Sequence, residues 1–267
     1  MNCPQRVFFT DLDGTLLDHQ TYSWQPAREA LAALAARQWP LVINSSKTAS
    51  EIRSLRSELG NDHPYITENG AVVVIPENYF GPAPEQVLPT GCSRTEVLEQ
   101  LEILRGKGFR FTGFNDLLVA ELSDLTGLDP ASAARAADRQ ATEPLLWLGD
   151  KLSLLRFRTA LSAVGLQLLE GGRFLHVMGQ FDKADGAAML MARWRALPGG
   201  ESTRSVALGD SPNDQAMLAG ADLAVIIKGV NSGLIQLPPD KPVIRSREPG
   251  PAGWNECVLR ILKDSNH

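Results

Sequence analysis

Short apolar runs alternate with amphipathic stretches through the first third of the chain. Residues 7–9 and 41–43 are apolar runs too short for helices, which is typical of buried strands. Between them, residues 25–37 carry Ala and Leu at helical spacing, and Pro26 suits a first helical turn. Strands that alternate with helices predict a parallel sheet covered on both faces.

The pattern changes near residues 80–90, where Pro and Gly cluster. The alternation of strand and helix patterns resumes after Lys183. Further strands are predicted over residues 65–66, 72–75, 109–111, 145–148, 166–169, 174–178, 205–208 and 223–226, and further helices over 50–59, 94–105, 130–139, 152–164, 184–195, 215–219 and 254–262. Strand pairs mixed with helices in the middle third are typical of a small α+β domain. We therefore expect an α/β core formed by residues 1–80 and 182–267, interrupted by an inserted domain over residues 81–181.

Composition narrows the class of protein. The 267 residues carry a formal net charge of −5, which argues against nucleic acid or an anionic membrane as the main partner. No apolar run approaches the roughly 20 residues that span a bilayer, and the N-terminus does not resemble a secretion leader. Cys3, Cys92 and Cys257 have no metal-ligand spacing, so we expect a reducing, cytoplasmic location.

The first strand runs directly into two carboxylates. Asp11 and Asp13 are two residues apart in an extended segment, so their side chains point the same way, and Gly14 allows a sharp turn after them. Two like charges so close resist ionisation unless a cation lies between them. Oxygen ligands favour a hard divalent ion, and we expect Mg²⁺.

Other polar groups occur at or near predicted strand ends, where ligands gather in an open parallel sheet. They are Ser45 with Ser46, Lys183, and Asp210 with Asp214. Singly, each has an ordinary structural explanation as a turn residue, a helix cap or an exposed lysine. Their order across alternating strands favours one shared site.

These parts fit phosphoryl transfer to a carboxylate. Asp11 is expected to attack phosphorus, and Asp13 to protonate the leaving alcohol and later deprotonate water. Mg²⁺ is expected to be held by Asp11, the main-chain carbonyl of Asp13 and Asp210. Lys183 supplies a fixed positive charge, and Ser45 donates a hydrogen bond to the phosphoryl group.

DLDGT at Asp11, the strand end at Ser45, Lys183 and GDSPND at Gly209 resemble, in order, the four motifs of haloacid dehalogenase-like phosphatases. The resemblance implies a Rossmann-like core and an α/β cap domain over the active site, over residues 81–181. Five segments further resemble mannosyl-3-phosphoglycerate phosphatases: SSKT at residues 45–48, ENG at 68–70, ATEP at 141–144, RFLHVMG at 173–179 and GDSPND at 209–214. That family releases phosphate to leave mannosylglycerate.

The sequence departs from the family's motifs at some positions. Ser45, Ser46 and Lys47 stand where commoner relatives have Thr-Gly-Arg, so Lys47 is expected to take the arginine's role towards phosphate. Ala184 replaces a usual Gly after the motif lysine, with a small expected effect. Asn213 and Asp214 of the last motif are also expected to lie against the substrate.

Three residues of the inserted domain are candidates for the substrate pocket. Arg139 would bind the glycerate carboxylate, Glu143 would accept bonds from sugar hydroxyls, and His176 would line the pocket. The alternatives are a solvated cation at a helix end, an acid at a helix start and an outward-facing residue on a strand.

The sequence thus predicts a Mg²⁺-dependent phosphomonoesterase acting on a small phosphorylated sugar or glycosyl glycerate, as a monomer or weak homodimer. Rival hypotheses are a phosphatase of glucosyl-3-phosphoglycerate, sucrose phosphate or another sugar phosphate, a phosphosugar mutase of the same fold, and a non-catalytic phosphate-ligand sensor. Intact Asp11 and Asp13 count against the sensor.

Overall fold

The predicted alternation of strands and helices is present in the structure, a computed structural model that describes residues 3–170 and 173–264. The strands in those residues are β1 (Arg6–Thr10), β2 (Leu41–Asn44), β3 (Tyr65–Thr67), β4 (Val72–Ile75), β5 (Gln86–Pro89), β6 (Phe111–Gly113), β7 (Thr142–Trp147), β8 (Leu166–Glu170), β9 (Leu175–Gly179), β10 (Arg204–Gly209), β11 (Leu223–Lys228) and β12 (Val243–Pro249). The α-helices are α1 (Arg28–Ala36), α2 (Ala49–Leu59), α3 (Arg94–Gly106), α4 (Val119–Thr126), α5 (Pro130–Ala137), α6 (Lys151–Ser162), α7 (Lys183–Arg195), α8 (Gln215–Gly220) and α9 (Gly250–Asp264).

The larger sheet has the strand order β12-β11-β10-β1-β2-β3-β4-β5 among the described residues. Its strands run parallel from β12 to β3, and β4 and β5 add antiparallel pairs. The prediction of an α/β fold with a mostly parallel sheet is confirmed. Because β1 lies between β10 and β2, the carboxyl ends of these three strands meet at one edge.

Both faces of this sheet are covered, as the unbroken apolar strands predict. On one face Phe8 belongs to an apolar cluster with Leu34 of α1 and Trp254 of α9. On the other, Phe9 shares a cluster with Trp194 of α7. All five side chains are at most 2% exposed, and burying each contributes roughly 1.5–3 kcal/mol. This packing holds the strand ends rigidly.

The smaller sheet has the order β6-β7-β9-β8, with antiparallel pairs throughout. Helices α3 and α6 cover one of its faces through Val97 and Phe157, which are fully buried. We call residues 93–179, which form this sheet and its helices, the cap. Strand β5 lies within the segment 81–181 predicted for the inserted domain, yet it pairs with β4 in the larger sheet. The exact domain boundaries remain a prediction.

Three elements were not predicted. Strand β12 reads RSREP over most of its length, and charged, Pro-containing sequence of this kind marks an edge strand rather than a buried one. Strand β5 is a four-residue strand that ends in Pro. Helix α4 has eight residues, too few for a clear helical period, and is ended by Gly127 in a left-handed conformation. The strand predicted over residues 109–111 lies instead at β6, two residues further on.

Candidate active site

Asp11 is fixed at the carboxyl end of β1. Its main-chain N–H donates to the carbonyl of Leu208 (3.0 Å), which continues the ladder towards β10. Its carbonyl accepts a bond from Thr10 Oγ1 (2.7 Å), and that hydroxyl accepts one from Trp254 Nε1 (3.0 Å). The carboxylate is therefore presented from a backbone that has little freedom to move.

Lys183 lies in the centre of the site and is 1% exposed. Its Nζ is 2.5 Å from Asp11 Oδ1 and 2.7 Å from Asp214 Oδ1. Helix α7 starts at Lys183, and Asn44 Nδ2 donates to the Lys183 carbonyl (2.8 Å), which ties the start of this helix to the end of β2. Burial lowers the pKa of Lys183, but the two carboxylates outweigh it and raise the pKa, so the ammonium keeps its proton.

Asp214 is fully buried, and its two carboxylate oxygens already have partners. Oδ1 accepts from Lys183, while Oδ2 accepts from the main-chain N–H groups of Asp210 (3.1 Å) and Ser211 (3.2 Å). The side chain therefore orients Lys183 and the loop after β10. Asn213 is half-buried in the same loop, with its Oδ1 bonded to Ser211 Oγ at 2.5 Å.

Asp210, 3% exposed at the end of β10, completes an acidic cluster. Among the described residues, oxygens of Asp11, Asp210 and Asp214 lie within 4.8 Å of one another. Burial, together with the Asp214 charge, raises the pKa of Asp210 to about 6, and burial raises the pKa of Asp11. Carboxylates crowded in this way are stabilised in their charged form by a cation.

The surroundings of Asp210 fit a small hard cation. Thr15 Oγ1 donates to its Oδ1 (3.1 Å), which leaves Oδ2 for another partner. A Cβ atom on Gly14 or on Gly229 would lie 2.7 Å from Oδ2, so glycine at both positions keeps this oxygen accessible. Since both Asp214 oxygens have partners, Asp11 and Asp210 are the carboxylates best placed to hold Mg²⁺.

Asp13 points towards a different partner. Its Oδ2 is 3.0 Å from Lys47 Nζ, and both side chains are partly exposed. Lys47 Nζ also lies 5.3 Å above the ring of Tyr22. Ser45 is 1% exposed, and its Oγ accepts from the N–H of Lys47 (3.3 Å). The predicted general acid and the predicted phosphate-binding loop, residues 45–47, are therefore in direct contact.

Two of the three candidate cap residues face the core. Arg139 Nη1 donates to the carbonyl of Ser46 (3.4 Å) and to Thr142 Oγ1 (2.9 Å). His176 is close enough to Arg139 for the guanidinium charge to act on it; burial first, and then that charge, lower the pKa of His176 to about 3. His176 Nδ1 is buried without a hydrogen-bond partner among the described residues. The imidazole is therefore neutral, and its Nδ1 is an unsatisfied polar atom.

Glu143 lies on the other face of the cap sheet. Its Oε2 accepts hydrogen bonds from Nε and Nη2 of Arg94 (2.9 and 2.8 Å), and its Oε1 accepts one from the N–H of Asn115 (2.7 Å). The residue is 0% exposed and lines a cavity beneath α3 together with Leu145. Neighbouring residues on a strand face opposite ways, so Thr142 meets the core and Glu143 does not. Its carboxylate joins parts of the cap on that face, and the predicted bonds from Glu143 to sugar hydroxyls do not fit this position.

Sequence reasoning missed Thr15 and Glu68 as parts of this region. Thr15 ended the DLDGT motif and had no visible partner in sequence, because Asp210 is far away along the chain. Glu68 belonged to the ENG segment used for the resemblance, but nothing local showed that its carboxylate contacts Gln140 and Thr142.

One sequence family and several solved structures are similar to this chain. Residues 8–116 match the sequence family of haloacid dehalogenase-like hydrolases. A solved structure from Thermoplasma acidophilum has a TM-score of 0.70 at 16% identity, covering 97% of this chain and 99% of that one. A phosphatase of the haloalkanoate superfamily from Bacteroides thetaiotaomicron has a TM-score of 0.68 at 18% identity, covering 98% and 96%. Sucrose-phosphatase from Synechocystis, solved with sucrose and phosphate, has a TM-score of 0.64 at 15% identity, covering 96% and 98%.

At such identities the likeness of structures shows the fold alone. The matched family segment covers residues 8–116, and the similarity in fold to the solved structures extends over nearly the whole chain. Among the described helices, we find no span that combines the length and the apolarity needed to cross a bilayer.

Proposed function

We propose that this protein is a Mg²⁺-dependent phosphomonoesterase that hydrolyses mannosyl-3-phosphoglycerate to mannosylglycerate and phosphate. The observation that carries the proposal is the buried contact of Lys183 with Asp11 and Asp214, beside Asp210. A buried nucleophile-type carboxylate held by a cation and flanked by a second acidic group is suited to attack on a phosphate ester.

In the proposed reaction, an Asp11 oxygen forms a bond to phosphorus as the bond from phosphorus to the alcohol oxygen of the substrate breaks. Asp13 gives its proton to that leaving oxygen. Water then attacks the aspartyl-phosphate, Asp13 takes a proton from it, and phosphate leaves with Asp11 restored. Lys183 orients Asp11 and balances negative charge on the transferred group, and Ser45 donates to one of its oxygens.

Asp11, Asp210 and the main-chain carbonyl of Asp13 are the proposed metal ligands. Bound magnesium supplies positive charge that lets an anionic nucleophile approach an anionic ester. Asp214 is proposed as a positioning residue, because both of its oxygens are bonded within the protein.

The substrate class is proposed from the cap and the phosphate-binding loop. Ser46 lies beside Arg139, whose planar guanidinium suits a carboxylate such as that of glycerate. His176 offers an unpaired ring nitrogen to a hydroxyl group. The similarity in fold to a sucrose-phosphatase supports a sugar-containing phosphate ester. The contact of Asn213 with the substrate remains a prediction from the sequence. So do a cytoplasmic location and a monomeric or weakly dimeric state.

A phosphate-release assay tests the proposal. Mannosyl-3-phosphoglycerate, glucosyl-3-phosphoglycerate, sucrose phosphate and p-nitrophenyl phosphate are compared with Mg²⁺ and with EDTA, using Asp11→Asn as the matched control. We expect the highest kcat/KM with mannosyl-3-phosphoglycerate and no release with EDTA. A higher kcat/KM with another ester overturns the proposed substrate. Formation of an isomerised sugar phosphate indicates a mutase. If no ester releases phosphate, the assignment as a phosphatase is overturned.

A further inference from the structure

The cap is bonded to the core at a place distinct from the two chain connections. Residues 135–142, which run from the end of α5 into β7, contact the core at residues 46–48 and at Glu68; we call residues 135–142 the cap latch. Thr48 Oγ1 donates to the carbonyl of Arg135 (2.7 Å). Arg139 Nη1 donates to the carbonyl of Ser46 (3.4 Å).

Glu68 forms most of the bonds of the cap latch. Its carboxylate accepts from the main-chain N–H groups of Gln140 (2.7 Å), Ala141 (3.2 Å) and Thr142 (2.9 Å), and from Thr142 Oγ1 (2.7 Å). Glu68 is 1% exposed. A carboxylate removed from water is stable only where donors replace its hydration, and all four of these donors belong to the cap.

The same residue is attached by its backbone to the phosphate-binding loop. The N–H of Glu68 donates to the carbonyl of Lys47 (3.0 Å), and the N–H of Asn69 donates to the carbonyl of Ser45 (2.9 Å). Glu68 has a φ of 50° and Asn69 a φ of 59°, a conformation uncommon for residues other than Gly. The turn directs the Glu68 side chain out of the core and into the cap while its backbone stays bonded to residues 45–47.

We propose that Glu68 is a positioning residue that holds the cap over the active site and thereby places Arg139 and His176 at the substrate. The inference rests on the proposed function. Two chain connections alone leave the cap free to rotate about the line that joins them, and a third bonded point prevents this rotation. Because Glu68 and the phosphate-binding loop are bonded to each other, a shift of that loop is transmitted to the cap.

Glu68→Gln tests the proposal, because the amide keeps the size of the side chain but replaces one acceptor oxygen with a donor. Hydrogen–deuterium exchange of the full-length protein follows a peptide covering residues 138–144. We expect its exchange to rise about tenfold or more, as loss of bonds to a charged group implies, with exchange over β1 and β10 unchanged. Thr142→Val, which removes one donor to the same carboxylate, is expected to raise it less.

Kinetics give a second readout. In Glu68→Gln we expect KM for mannosyl-3-phosphoglycerate to rise about tenfold, while kcat/KM for p-nitrophenyl phosphate, which does not need the cap, changes by less than about twofold. Glu121→Gln is the matched control, since Glu121 caps α4 within the cap through the N–H of Leu118 (2.8 Å). It is expected to alter neither measurement.

Each result has a defined meaning. Unchanged exchange over residues 138–144 in both latch variants, or exchange that rises equally throughout the chain, overturns the role of Glu68. Equal kinetic effects on the two esters overturn it as well. Exchange does not depend on activity, so a raised local exchange in a protein that releases no phosphate leaves the cap latch standing and overturns the proposed function alone.

Discussion

Nζ of Lys183 lies 2.7 Å from Oδ1 of Asp214, and neither side chain is exposed. Burying these charges costs several kcal/mol of desolvation per ion, which their mutual attraction offsets. Removing one partner leaves the other as a buried charge without a counterion. Lys183 also compensates Asp11, so its removal affects stability as well as the proposed chemistry.

Lys183→Met is therefore expected to lower the free energy of unfolding by about 3–5 kcal/mol. Urea denaturation measures the change. Glu85→Gln is the control, since the Arg53–Glu85 pair is 52% and 45% exposed and its loss should cost less than about 1 kcal/mol. An equal effect in the two variants would refute the structural role of Lys183.

Asp210→Asn is expected to remove metal binding while the fold persists. Mg²⁺ should raise the Tm of the wild-type protein, since a ligand that binds only the folded state stabilises it. The variant should show no such rise. Because the pKa of Asp210 is raised to about 6, the wild-type rise should shrink below that pH, where a proton competes with the ion. A full Mg²⁺-dependent rise in Asp210→Asn would exclude Asp210 as a ligand.

The depressed pKa of His176 predicts how stability depends on pH. Its value of about 3 in the folded protein lies below the ordinary 6.5, so only the unfolded state takes up the proton between these limits. Stability from this group is complete above pH 6.5 and is lost as pH falls, by about 1.4 kcal/mol per pH unit. Asp210 has a raised pKa and therefore makes stability rise as the pH falls below 6. The effect of His176 must be separated from it by comparing the wild type with a His176 variant.

His176→Gln isolates it. We expect the difference in unfolding free energy between wild type and variant to move in favour of the variant by about 1–2 kcal/mol between pH 7 and pH 5. Urea denaturation at the two pH values measures it. A difference that does not change with pH would mean that His176 takes up its proton in the folded protein too.

Arg139→Ala is expected to raise KM for mannosyl-3-phosphoglycerate by about tenfold or more, because a charged hydrogen bond to the glycerate is lost. The effect on p-nitrophenyl phosphate should be small. Initial-rate kinetics with the two esters separate these cases, and equal effects would assign Arg139 to the contact with Ser46 alone.

The chemistry of the strand ends was predictable from sequence, whereas the connections between distant residues were not. Apolar runs ending in Asp11, Ser45 and Asp210 indicate a shared edge because parallel strands place their carboxyl ends together. The orientation of Asp214 towards Lys183, and of Glu143 towards Arg94, depends on packing between segments far apart in the chain. No local spacing contains that information. Alternation along β7 shows the limit clearly, since Thr142 and Glu143 are adjacent in sequence and lie on opposite faces.

The central claim is that Asp11 becomes phosphorylated. Acid quenching of the enzyme mixed with Mg²⁺ and mannosyl-3-phosphoglycerate, followed by mass spectrometry of the peptide that contains Asp11, measures this directly. We predict the mass of one added phosphoryl group on that peptide in wild type and none in Asp11→Asn, whose kcat falls about 10⁴-fold or more. Steady phosphate release by Asp11→Asn at the wild-type rate would contradict the account.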